Sequence, residues 1–160
     1  MPTVSRKAIN RIIPEFAKEI TGKVLFVGVY PPRDYSVYFD EFVTLDIRPQ
    51  FKPTIIGDIQ DCPQIPDKSF DGVIMSGVFE FLQEPKKAFV EIYRVLKDSG
   101  KALFCMAGCG YYPKSYYPNK LTLEPKDAFD LIKPLCLEKM EITYYKNDIP
   151  FYIHLIAKKI

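Results

Sequence analysis

Gly28, Asp46, Asp58 and Ser76 each end a short, largely apolar run: Lys23-Val24-Leu25-Phe26-Val27-Gly28, Phe42-Val43-Thr44-Leu45-Asp46, Thr54-Ile55-Ile56-Gly57-Asp58 and Phe70-Asp71-Gly72-Val73-Ile74-Met75-Ser76. Carboxylates accept hydrogen bonds from hydroxyl and amino groups, serine offers a hydroxyl, and glycine lets another group approach the backbone. Together they suit the binding of a polar organic ligand. No nucleophile–base dyad stands beside them. Glu80 reads as an exposed acid with a secondary candidacy as a base, and Asp71 as an acid that hydrogen-bonds the backbone where its strand begins. The single histidine, His154, sits mid-strand in Tyr152-Ile153-His154-Leu155 and reads as packed or solvent-facing rather than catalytic. Cys105 and Cys109 stand four apart, a poor zinc spacing, so no metal site is expected and the cysteines read as small buried hydrophobes.

The elements that must position these residues follow from periodicity. Ser5 to Ile20 carries Ile9, Ile12, Ile13, Phe16 and Ile20 at helical spacing, with Pro14 expected to kink or split the helix and Gly22 to follow its end. The four runs are short and continuous, the pattern of parallel strands covered on both faces. Pro85 to Leu96 forms a helix whose stripe is Ala88, Phe89, Ile92, Val95 and Leu96, closed by Asp98-Ser99-Gly100. Ala102 to Ala107 is a fifth strand, and Glu124 to Lys133 a short helix. Leu137 to Tyr145 and Phe151 to Ala157 are joined by a link too short for a helix, so they form an antiparallel hairpin. The expected fold is α/β: a Rossmann-like, doubly wound, mostly parallel sheet with a C-terminal antiparallel hairpin and reduced helices. In such a sheet ligands sit at the carboxyl ends of the strands where the strand order reverses, the end that carries Gly28, Asp46, Asp58 and Ser76.

Composition sets the frame. The chain of 160 residues is 48% apolar and 14% aromatic, enough for one domain over residues 1–160 with a real core. A net charge of +2, with the lysines spread out, gives no footprint for nucleic acid. No apolar run reaches the length of a membrane helix and the N-terminus reads polar and basic, so a reducing cytoplasm with four free thiols is expected.

Three stretches in fixed order carry a resemblance: Ser69-Phe70-Asp71-Gly72-Val73-Ile74, then Phe79-Glu80-Phe81-Leu82-Gln83-Glu84-Pro85, then Glu91-Ile92-Tyr93-Arg94-Val95-Leu96-Lys97-Asp98-Ser99-Gly100. From about Val24 to Ala107 the chain resembles the class I S-adenosylmethionine-dependent methyltransferases, in particular the small, little-decorated members of the methyltransferase-11 type. The resemblance implies a cofactor, S-adenosylmethionine, and a site for it. Gly28 lets the backbone approach the cofactor, Asp46 with Ile47 takes the ribose end, Asp58 with Ile59 faces the adenine, and Ser76 lies near the methionine part. The family's first motif is acid-x-Gly-x-Gly-x-Gly, whereas this chain has Phe26-Val27-Gly28-Val29-Tyr30-Pro31-Pro32. The helix after the first strand is short, and Arg48-Pro49-Gln50-Phe51-Lys52-Pro53 leaves no room for one after the second.

The implied activity is methyl transfer to a small-molecule acceptor, with catalytic residues unassigned. Glu80, Tyr111 and Tyr112 are candidate bases. Tyr111, Tyr112, Tyr116 and Tyr117 are candidates to line an acceptor pocket, or to stack bases with Lys114 and Lys120 on phosphate. Two alternatives stand beside it. A non-catalytic methyltransferase-like domain would bind a protein partner, scaffold a complex or self-associate, with Tyr30 and Pro32 filling the cofactor space. An NAD-dependent oxidoreductase would use the acid that follows the glycine turn, but it lacks G-x-G-x-x-G and a substrate domain.

Overall fold

In a computed structural model of the chain, which describes residues 4–29, 34–111, 121–145 and 149–160, the four apolar runs pair as parallel strands. They are β1 (Lys23–Val27), β2 (Glu41–Asp46), β3 (Ile55–Ile56) and β4 (Phe70–Ser76). With β5 (Leu96–Ala107), β6 (Cys136–Tyr145) and β7 (Ile149–Lys158) they form one seven-stranded sheet of order β3-β2-β1-β4-β5-β7-β6. β7 runs antiparallel to both β5 and β6, so the expected hairpin forms and its second strand inserts beside β5. The strand order reverses between β1 and β4, which puts the carboxyl ends of β1, β2 and β4 at the switch point.

Helices cover both faces. α1 (Val4–Ala17) buries Ile12, Ile13 and Phe16 against Val24, Phe26, Ile74, Leu103 and Cys105. α2 (Pro85–Val95) turns Ala88, Phe89, Ile92 and Val95 onto the other face, where the Phe89 and Phe104 rings lie 4.8 Å apart. α3 (Ala128–Leu131) adds Ala128 to that layer.

Several elements differ from expectation. α1 is not split: it runs through Pro14, which has no N–H to return to Asn10 O and so costs one rung of the ladder without ending the helix, and stops at Ala17, short of Ile20. β5 begins at Leu96 rather than Ala102. Leu96 pairs with Phe70 across a bulge, and Ser99 adopts a left-handed φ of 64° there. The helix expected over Glu124 to Lys133 shrinks to a 3₁₀ turn, Pro125–Asp127, and the single turn of α3.

Between β1 and β2 the described residues form only the 3₁₀ turn Ser36–Tyr38, and between β2 and β3 only Pro49–Phe51. Aromatic rings cover the sheet where a helix is missing. Phe26, which stands where the family has its acid, lies 5.6 Å from both Tyr35 and Phe42, and Phe42 is 5.8 Å from Phe39. The Glu91–Arg94 pair on α2 fastens the loop before β4. Arg94 donates to Ile65 O at 2.7 Å and Cys62 O at 3.0 Å, and Glu91 accepts from Cys62 N at 3.1 Å. Also at the C-terminal end of α2, the buried Lys159 ammonium donates to the main-chain oxygens of Tyr93 and Leu96, both at 2.8 Å, supplying partners to carbonyls that a helix end leaves open.

Candidate functional site

Main-chain hydrogen bonds draw the carboxyl ends of β1, β2 and β3 together. Gly28 N donates to Leu45 O at 2.9 Å, Val29 N to the Asp46 carboxylate at 2.8 Å, and Gly57 N to Asp46 O at 3.1 Å. Gly28 has φ 92°, a conformation open chiefly to glycine. A Cβ there would run into the Val78 side chain and lie 2.9 Å from Ser76 O, so glycine is required for the β1 and β4 loops to touch. Gly77 has φ 66°, and among the described residues nothing lies within 4 Å of where its Cβ would project.

Asp46 is the electrostatic centre of this edge. Its side chain is only 3% exposed, yet each oxygen holds two donors. Oδ1 accepts from Arg48 N at 2.9 Å and Arg48 Nε at 2.8 Å, and Oδ2 from Val29 N at 2.8 Å and Arg48 Nη2 at 2.9 Å. Burial pushes the Asp46 carboxyl up; the hydrogen bonds and charge of Arg48, with the Val29 N–H, more than reverse this and hold it below the ordinary carboxylate value. The Arg48 guanidinium lies 4.3 Å from the centre of the Phe51 ring.

The other residues expected at the site take varied positions. Ile47 projects from the end of β2 and is 63% exposed, an apolar face beside a buried carboxylate. Ser76 closes β4 in register with Cys105. Asp58 is engaged in a turn, accepting from Gln60 N at 2.9 Å and Gln60 Nε2 at 3.0 Å. Ile59 is 2% exposed and belongs to the core under α2, so its side chain offers no outward face. Tyr30, Pro32, Tyr112, Lys114, Tyr116, Tyr117 and Lys120 lie outside the described residues.

Glu80 is not the exposed acid expected. It is 3% exposed, and its carboxylate accepts Ala107 N–H at 2.8 Å at the end of β5. The 3₁₀ turn Phe79–Phe81 turns Glu80 inward and leaves Phe81 outside. Asp71 fills its expected role, taking Lys23 N–H at 2.8 Å and the Lys97 ammonium at 2.9 Å. Tyr111 packs on Phe151 and Tyr152, with ring centres 4.9 Å and 5.6 Å away. His154 is buried between Cys105 and Glu141 in register, and among the described residues neither ring nitrogen has a hydrogen-bond partner.

Arg48, Val78 and Gly77 are the site residues that sequence reasoning missed. The one signal for Arg48 was its place two residues after an acid that ends a buried strand.

The geometry suits an adenosyl ligand. A buried carboxylate stands at the switch point, an exposed isoleucine adjoins it, and among the described residues none crowds the Cβ direction of Gly77. The opposite end of the sheet offers an open depression of about 200 Å³, but its Asp71 pairs with Lys97 and its Glu19 with Lys101, each at 2.9 Å. Among the described residues no cluster of His, Cys, Asp or Glu is placed to hold a metal ion, and no helix is long and apolar enough to cross a membrane.

Comparison with known proteins agrees with this geometry. Residues 33–104 match the family model of a methyltransferase domain. Among solved structures the chain is similar to the N-methyltransferase NodS of Bradyrhizobium japonicum WM9 in complex with S-adenosyl-L-homocysteine, with TM-score 0.79, 10% identity, and coverage of 98% of this chain and 88% of that one. It is similar to the PH0226 protein of Pyrococcus horikoshii OT3, with TM-score 0.75, 19% identity and coverage of 99% and 92%. A third likeness is to an S-adenosylmethionine-dependent methyltransferase of Mesorhizobium loti, with TM-score 0.75, 12% identity and coverage of 92% and 96%. No curated relative matches the sequence. At these identities the solved structures speak for the fold alone, and the domain match spans residues 33–104: the chain has the fold of the S-adenosylmethionine-dependent methyltransferases and over that stretch resembles them in sequence.

Proposed function

We propose that the protein, as a single domain over residues 1–160, transfers the methyl group of S-adenosylmethionine to a small-molecule acceptor. The observation that carries this reading is the buried Asp46 carboxylate at the switch point, beside Gly28 and the exposed Ile47. In this reading Asp46 holds the ribose hydroxyls and Ile47 lies along the adenine. Asp58, two residues past β3, meets the adenine amino group, while the buried Ile59 supports that turn from the core. Gly28 and Ser76 border the methionine part. The bound cofactor supplies a methyl group already activated by its sulfonium charge. What remains for the chain is to align the acceptor and to keep water out, which asks for no nucleophile of its own. A proton-accepting residue is not assigned, since Glu80 is already committed to the Ala107 N–H.

A small acceptor suits a chain with net charge +2 and short connections around the site. The four free cysteines suit the cytoplasm.

The test is titration of the purified protein with S-adenosylhomocysteine, alongside Asp46→Ala. Micromolar binding weakened by about 1.5 kcal/mol or more in the variant is the expected result, the scale of hydrogen bonds to a charged group. A folded protein that leaves millimolar ligand unbound would sink the reading in favour of a partner-binding domain.

A further inference from the structure

Asp46 is fully subscribed. Four N–H groups at 2.8–2.9 Å share its two oxygens, and the Arg48 side chain supplies two of them in a fork. A ribose diol that is to bond this carboxylate must take positions the guanidinium now holds. We infer that Arg48 is a latch on the ribose-binding carboxylate, and that cofactor binding proceeds by exchange of the Arg48 fork for the ribose hydroxyls. The inference rests on the cofactor reading above.

The local chain is built to hold the latch and to release it. Pro49 opens a 3₁₀ turn that ends on Lys52 at a left-handed φ of 51°, and this fold-back brings the Phe51 ring under the guanidinium. The Arg48 side chain is 41% exposed, so it can rotate into water, whereas Asp46 stays buried with the Val29 and Arg48 N–H groups. The two main-chain donors keep the carboxylate oriented in both states. They account for half of its hydrogen bonds, and the fork is the exchangeable half. A site whose competent state is only partly populated shows a proportionally weaker apparent affinity, so the latch sets how much cofactor the protein needs.

The test compares S-adenosylhomocysteine binding by wild type, Arg48→Ala and Phe51→Leu. With the latch removed, Arg48→Ala binds at least about fivefold tighter, and Phe51→Leu shifts in the same direction by less. Raising the salt toward 0.5 M screens the fork and tightens wild-type binding, with no such gain in Arg48→Ala. In the wild-type protein, the Arg48 Nε–H resonance moves on saturation with ligand, a readout that needs no variant to fold. Equal or weaker binding by Arg48→Ala, with wild type binding, overturns the latch and leaves the cofactor site standing. An Arg48 Nε–H signal that stays in place at saturation overturns it likewise. Folded wild type and Arg48→Ala that both ignore the ligand overturn the latch together with the cofactor reading, and the blank wild type tells this outcome from the other two.

Discussion

Glu91 and Arg94 face each other on α2 through two hydrogen bonds, Arg94 Nε to Glu91 Oε1 at 3.0 Å and Nη2 to Oε2 at 2.8 Å, and both reach across to Cys62. The Cys62 thiol donates to Glu91 Oε2 at 3.1 Å, and burial, with the Glu91 charge, pushes that thiol up to about 12. The pair thus ties the loop that follows β3 to the helix that precedes β5. The Glu91-x-x-Arg94 spacing, one helical turn, serves to fasten a loop to the helix.

The first prediction concerns this pair. Hydrogen bonds from Arg94, then from Cys62, bring the Glu91 carboxyl down to about 2 from 4.5 despite burial. A carboxyl lowered in the folded state stabilises fully above its unfolded value and loses that contribution as pH falls. Stability therefore drops by about 3 kcal/mol as pH falls from 4.5 to 2, at 1.36 kcal/mol per unit. Glu91→Gln loses about 2 kcal/mol at neutral pH and flattens that window, as read by urea denaturation.

The second prediction concerns His154. Burial lowers its pKa to about 4 from 6.5, the nearby Glu141 opposing and Arg11 assisting. Cys105 and Tyr152 are its other close neighbours, and Arg11 of α1 also pairs with Glu141. The unfolded chain takes up this proton first, so stability is greatest above pH 6.5 and falls by about 3 kcal/mol on the way down to pH 4. The direction is opposite to that of a histidine paired with an acid. His154→Phe removes the slope between pH 6.5 and 4 while leaving the Glu91 window below it, and a slope that survives the substitution refutes the assignment.

The third prediction concerns Gly28. An alanine there must adopt φ 92° and push its methyl into Val78, against Ser76 O. Gly28→Ala loses about 2 kcal/mol or more of stability, from left-handed backbone strain plus overpacking. A second change, Val78→Ala, returns part of that loss, because the methyl it removes is the one the new Cβ meets. Additive effects of the two changes in thermal denaturation would count against the contact.

Sequence reasoning found the strands that lead to Gly28, Asp46 and Ser76 because a parallel strand buried on both faces leaves a short continuous apolar run with an abrupt end, whereas the strand expected over Thr54 to Asp58 shrinks to Ile55–Ile56, an edge strand with Ile56 exposed. It found α2 because one face of an amphipathic helix repeats at helical spacing. It placed the start of β5 too late because Lys97-Asp98-Ser99-Gly100-Lys101 is polar, and only pairing with β4 and β7 makes part of that stretch a strand. Glu80 was misjudged because a 3₁₀ turn inverts inside and outside relative to a strand or loop reading of Phe79-Glu80-Phe81. The Arg48 fork was invisible because a charged pair two residues apart closes only when the backbone after a strand end turns both side chains to one side, which the residue types do not announce.

β7 lies between β5 and β6 although it follows both in the chain. During synthesis, β1 to β5 can pair as they emerge, but β6 has no place in the sheet until β7 has left the ribosome and slipped in beside β5. Until then β5 presents an open edge carrying the apolar run Ala102-Leu103-Phe104-Cys105-Met106-Ala107, a template for pairing with any extended chain nearby. The growing polypeptide thus carries its greatest hazard of misassociation just before the sheet closes. The strand of the sheet that comes last in chain order guards its middle against neighbours in the cell.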